Sequence, residues 1–220
     1  MTSTHMEPVT IEEAQIWYQD ADPVHDFDHV LRVYRIAERL ADAEGADLDI
    51  VRAAALLHDS VGSAPGGEGN ARAEHHIASA AFAGEVLAQK GWPEEKIKAV
   101  QHCIRGHRFR GKEDKPETLE AQVLFDADKL DVLGAIGAAR TIAYAALDGQ
   151  PSYAEPSEQF LLTGKKEPGE PHSSYHEFLF KLQKVKGRMF TPSGKALAEA
   201  RHAYLVEFYA QLQAETRGER

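Results

Sequence analysis

The sequence predicts an all-α fold, and three observations carry that expectation. Strict alternation of apolar and polar residues is almost absent. Alanine-rich segments place their apolar residues at helical spacing instead. The stretches between them hold helix breakers, among them Gly91-Trp92-Pro93 and Asp148-Gly149-Gln150-Pro151.

A first helix is expected over residues 11–19, ended by Asp20-Ala21-Asp22-Pro23, because proline disfavours helix in the residue before it. The second lines up Val30, Val33, Ile36, Ala37 and Leu40 on one face and stops near Gly45. A third begins after Ala46-Asp47 and passes through Ile50, Val51 and Ala53 to His58-Asp59. Residues 60–69, rich in Gly, Ser and Pro, read as an exposed loop. Helix returns over 71–90. Pro93-Glu94-Glu95 then opens another helix, with acidic residues at its positive end, that runs to His107. Residues 108–116 form a charged turn.

Residues 117–147 read as one long helix, with Gly134 or Gly137 as the place for a bend. These glycines, with Ala135, Ala138 and Ala139, would let neighbouring helices approach closely. Residues 148–173 are irregular apart from a helical turn at 158–162. Two helices, 174–186 and 192–215, close the chain. With no internal repeat or linker, the expected organisation is one helical bundle over 25–220, including a C-terminal helical extension. Residues 1–24 are expected to pack on it as an N-terminal segment and first helix.

A chain of 220 residues suffices for one substantial core. Its 25 basic and 35 acidic side chains give a formal charge of −10, which disfavours long nucleic acid as a partner. A small phosphorylated substrate is compatible with that charge, since a metal and a few cations can reverse the sign inside one cleft. Cys103 is the sole cysteine, so no intramolecular disulfide or all-cysteine metal site is expected. No apolar run reaches the length of a membrane span, and the N-terminus lacks a signal-peptide pattern. The expectation is a cytoplasmic protein without a membrane partner, with a homodimer left open. Gly66-Gly67-Glu68-Gly69 lacks the lysine ending of a P-loop, and no Gly-x-Ser-x-Gly elbow is present.

The chemistry-bearing residues sit in three places. His25 and His29 are four apart and would share a helical face. His58-Asp59 follows the apolar run Ala53-Ala54-Ala55-Leu56-Leu57, which would hold the pair at the edge of the core. Asp126-Ala127-Asp128-Lys129-Leu130-Asp131 places three carboxylates on a mostly apolar helix, where burial is costly unless they are paired or metal-bound. For Asp126 and Asp131 the simplest expectation is solvent exposure.

In its order, His29, then His58-Asp59, then Asp128, this set resembles the HD-domain superfamily of metal-dependent phosphohydrolases. His75-His76 with Ser79-Ala80, Ile104 with His107, and residues 126–140 and 178–182 resemble a small bacterial subgroup of it. That subgroup includes predicted hydrolases and nucleoside-triphosphate pyrophosphohydrolases. The resemblance implies a single HD-domain bundle with His29, His58, Asp59 and Asp128 as metal ligands. Two imidazoles and two carboxylates suit Mn²⁺, Ni²⁺, Co²⁺, Fe²⁺ or Zn²⁺, with Mg²⁺ also admitted, better than Ca²⁺.

The activity implied is hydrolysis of a nucleotide, from triphosphate to monophosphate and pyrophosphate. Asp59, His107 and Lys129 are the candidate catalytic residues. His75, His76, Lys129, Arg140 and Lys181 are the candidate substrate-binding residues. His75 or His76 with His102 could instead hold a second metal, as in dinuclear HD proteins. The rival readings are a dinuclear iron oxygenase and a non-catalytic nucleotide-binding regulatory module. Ser60-Val61-Gly62 after the His-Asp pair lacks the Glu-Asp found there in the HD hydrolases of alarmone nucleotides, which disfavours that substrate.

Overall fold

The computed structural model describes residues 6–18, 27–61, 71–110 and 114–220. The expected proline break at residues 20–23, His25 and most of the expected loop at 60–69 lie outside the described residues. Among the described residues all regular structure is helical. They fall into two compact units. One takes in the described residues of Met1–Asp128 and Phe190–Gly194; the other comprises Lys129–Met189 and Lys195–Arg220.

In the first unit, α1 (Ile11–Ile16) opens with a capping box in which Thr10 and Glu13 satisfy each other's backbone N–H groups. The segment is tied down at three more points. Lys90 pairs with Glu13 at 2.6 Å, Trp92 Nε1 donates to the Glu7 carbonyl, and the Tyr18 hydroxyl donates to the Leu56 carbonyl at 2.9 Å. Helix α2 (Phe27–Glu44) buries His29, Val30, Val33, Ala37, Leu40 and Ala41 on the stripe its periodicity foretells.

Helix α3 (Leu48–Leu57) is capped by Asp47, whose side chain accepts from the N–H groups of Asp49 and Ile50. It packs against α2, α4 (Ala71–Gln89) and α5 (Glu94–Gly106) and buries every residue from Ala53 to Leu57. A short helix that is apolar nearly all round belongs at the centre of a core. Burying Leu56 and Leu57 stabilises the unit by about 1.5–3 kcal/mol each. The core therefore ends where the polar pair His58-Asp59 begins.

The expected long helix at 117–147 is instead two helices, α6 (Leu119–Leu130) and α7 (Gly134–Leu147). Leu133 is extended, and Gly134 has a φ of +71°, a conformation that favours glycine. The first turn of α7 lies so close to the Val132 carbonyl that a side chain at Gly137 would run into it. Helical spacing alone does not reveal such a break, because both halves share the same small, apolar composition.

The second unit contains α7, α8 (Glu158–Thr163), α9 (Ser174–Glu177), α10 (Gln183–Val185) and, from Lys195, most of α11 (Pro192–Thr216). The helix expected at 174–186 runs into a π turn at Phe178–Leu182 and ends in a 3-10 turn at Lys186–Arg188. Phe178 stacks on buried Tyr209 with ring centroids 4.4 Å apart. The irregular stretch 148–173 is organised by one carboxylate, Glu170. It accepts from the Ser157 N–H and hydroxyl at 2.8 Å each, the Glu167 N–H at 2.6 Å and His176 Nε2 at 3.0 Å.

The donors from Ser157, Glu167 and His176 hold the Glu170 carboxyl down at about 2, against an ordinary 4.5. A depressed carboxyl contributes stability above its unfolded value and loses it as pH falls through its folded value. Protection of the amides of residues 155–172 against exchange, relative to the free-chain rate at each pH, should therefore stay high at pH 6 and fall between about 4.5 and 2. Glu170→Gln should show lower protection already at pH 6 and lose that acid dependence of protection. Unchanged protection in the variant would disprove the assignment.

Candidate metal centre

The first unit brings donor atoms together at the ends of its helices. His29 stands in the first turn of α2, His58 caps the C-terminus of α3, and His107 caps that of α5. His75 and His76 lie in α4, and Asp128 in the last turn of α6. His29, His58, Asp59, His76 and His107 are buried, and His75 and Asp128 nearly so.

By distance the donors form two groups. His29, His58 and Asp128 offer atoms that all lie within 4.8 Å of one another, as do Asp59, His75 and His107. His29 Nε2 is 3.6 Å from Asp128 Oδ1. Asp59 stands between the groups: its Oδ2 is 3.6 Å from His58 Nε2, and its Oδ1 is 3.0 Å from His75 Nε2 and 3.4 Å from His107 Nε2. The ring centroids of His58 are 5.5 Å from those of His29 and 5.2 Å from those of His107.

The chemistry of these contacts fits a cation. His58 Nδ1 lies 2.8 Å from the Ala55 carbonyl, and His107 Nδ1 lies 2.5 Å from the Ile104 carbonyl. A carbonyl can only accept, so both rings carry a proton on Nδ1 and, when neutral, a lone pair on Nε2. Both Nε2 atoms face the Asp59 carboxylate. Buried His58 Nε2 and Asp59 Oδ1 also lack an aligned hydrogen bond among the described residues. Lone pairs converging on a carboxylate repel each other unless a positive charge lies among them.

Burial works against charge on Asp59, yet the rings around it in their protonated forms, His58 first and then His107 and His75, outweigh burial and hold the carboxyl well below its usual range. Burial likewise pushes His107 down to about 4, despite the pull of Asp59. At pH 7 His107 is thus neutral in the metal-free protein, with its Nε2 lone pair turned toward Asp59.

The structure corrects several expectations. Asp126 and Asp131 are fully buried, not exposed. Asp126 accepts from the N–H groups of Phe190 and Thr191 and from the Thr191 hydroxyl, while Asp131 pairs with Arg140. His102 does not join the donors; its Nε2 accepts from the Glu117 N–H at 3.2 Å. His76 is near them, with its ring 5.9 Å from that of His75. Lys129 follows Asp128 in α6 and is half-buried. Within the second unit, Arg140 is engaged by Asp131, and the mostly exposed Lys181 pairs with Glu177 at 2.8 Å. Sequence reasoning missed Arg108, whose Nη1 lies 2.9 Å from His75 Nδ1.

Comparison with known proteins places this arrangement. Residues 26–133 match the family model described as the HD domain, and that span contains all the donors named above. The uncharacterized protein YpgQ of Bacillus subtilis is 31% identical over 215 residues, covering 94% of each chain. The chain belongs to the HD-domain family. The crystal structure of Bacillus subtilis YpgQ in complex with ADP resembles this HD protein with a TM-score of 0.70 and 27% identity, covering 93% of this chain and 94% of that one. An HD-superfamily hydrolase from Bacillus thuringiensis gives 0.69 and 29%, over 94% of each chain. HD domains bind divalent metals, and this one has His and Asp clusters able to hold such an ion.

Proposed function

We propose that the protein is a divalent-metal-dependent phosphohydrolase that converts a nucleoside triphosphate into its monophosphate and pyrophosphate. The observation that carries this reading is the convergence of His29, His58 and Asp128, with the ionised Asp59 beside them. ADP bound by YpgQ, a relative over nearly the whole chain, supports a nucleotide as the ligand.

His29, His58, Asp59 and Asp128 would hold the metal. When bound, it supplies Lewis acidity toward a phosphate oxygen and an acidified water as nucleophile. The carbonyls of Ala55 and Ile104 fix the rings of His58 and His107, so the donors are aimed before any ligand arrives. Lys129 is the cation nearest in sequence to a ligand and the candidate to offset charge on departing pyrophosphate. Arg140 is left out of this role because its guanidinium is committed to buried Asp131.

The distance grouping of Asp59, His75 and His107 favours a second reading, a dinuclear iron centre that activates oxygen. The two readings separate by products. Each nucleoside triphosphate is incubated with Mn²⁺, Mg²⁺, Co²⁺ or Ni²⁺, and phosphorus-containing products are resolved with and without added pyrophosphatase. Monophosphate and pyrophosphate in equal amounts are expected. Orthophosphate from monophosphates alone, or nucleoside with triphosphate, would refute the proposal. Turnover only with iron and oxygen would establish the second reading.

A further inference from the structure

We infer that Arg108 is a positioning residue that fixes the tautomer of His75 and withholds this histidine from the metal. Arg108 Nη1 lies 2.9 Å from His75 Nδ1. A guanidinium has five N–H donors and no acceptor, and it stays protonated at every accessible pH. The His75 nitrogen facing it must therefore accept, which puts a lone pair on Nδ1 and the ring proton on Nε2.

That is the reverse of His58 and His107, whose Nδ1 atoms face carbonyl oxygens and whose Nε2 atoms carry the lone pairs. Three histidines around one carboxylate are thus sorted by what lies behind each ring. His58 and His107 present acceptors to the space around Asp59. His75 presents an N–H, from a nitrogen 3.0 Å from Asp59 Oδ1. The distance grouping of Asp59, His75 and His107 then lacks one of its three lone pairs, and a second ion there would require Arg108 to leave Nδ1. What His75 contributes on the Asp59 side is an N–H, 3.0 Å from Oδ1, in place of a lone pair for an ion. The inference rests on the metal-site reading only for which group binds metal; the tautomer assignment stands on the Arg108 contact.

The test is a long-range ¹H–¹⁵N correlation spectrum of the histidine rings in the full chain at pH 7.5. It reads which nitrogen carries the proton, with His75 assigned by its loss in His75→Gln. Metal-free wild-type protein should show His75 protonated on Nε2. Arg108→Lys, which keeps a donor, should leave that pattern in place. Arg108→Met, which removes it, should shift His75 toward the Nδ1–H form. Adding Zn²⁺ to wild-type protein should move the His29 and His58 signals while His75 keeps its Nε2–H. His75 protonated on Nδ1 in the wild type, or losing its Nε2 proton on Zn²⁺ binding, would overturn the inference. A chain that binds no nucleotide would still give the predicted spectra, so failure of the hydrolase reading and failure of this one are distinguishable.

Discussion

Asp128→Ala should lower kcat/KM for a nucleoside triphosphate by roughly a thousandfold or more, about 4 kcal/mol of transition-state stabilisation. The side chain lies 3.6 Å from His29 Nε2, within the donor group that it forms with His29 and His58. His58→Ala should do the same, since no other described residue puts an Nε2 where His58 does, with its Nδ1 held by Ala55. Neither change opens a large apolar cavity, so circular dichroism should be unaltered and thermal stability without metal nearly so. A kcat/KM within tenfold of wild type for either variant would contradict the assignment of these residues.

Asp126→Ala is expected to do the opposite, damaging the fold and sparing the metal. Asp126 is two residues from Asp128 and fully buried, but its carboxylate serves the N–H groups of Phe190 and Thr191, at 2.9 and 2.8 Å, and the Thr191 hydroxyl at 2.7 Å. Gly194 lies against the same carboxylate, and a side chain there would run into Oδ2. Removing the acceptor strands three donors in a dry site, at about 3–5 kcal/mol. The midpoint of thermal unfolding should fall by roughly 6–20 °C, at 2–4 °C per kcal/mol for a chain of this size. The surviving folded protein should still bind metal. Unfolding within 2 °C of wild type, or loss of metal from a folded variant, would show that Asp126 has been misread.

The contrast between Asp126 and Asp128 shows where the sequence was informative and where it was not. Three acids on an apolar helix announced that something had to satisfy them. Helical phase could not say that Asp126 faces the start of α11, 65 residues away in sequence, or that Asp131 faces Arg140. Those partners depend on tertiary packing. His58-Asp59 was legible because the run of buried residues in α3 ends at that pair, so the core itself locates the site.

His107 and His102 mark the limit. Both lie near the end of α5, five residues apart, and composition gives no reason to prefer either. In the structure His107 caps the helix and faces Asp59, whereas His102 turns to Glu117. Arg108 was less visible still. An arginine in a charged stretch reads as solvated until the geometry sets it against His75. The broken helix at Gly134 was hidden for a related reason: glycine marks a place where the chain is able to bend, and only packing decides that it does.

Metal stoichiometry at equilibrium tests the central claim most directly. Wild-type protein and the triple variant His29→Ala, His58→Ala, Asp128→Ala are dialysed against Mn²⁺ and Zn²⁺, checked for helical content, and assayed for metal per chain. One ion per wild-type chain and none in the folded triple variant is the predicted result. Stoichiometric metal retained by the triple variant would contradict it.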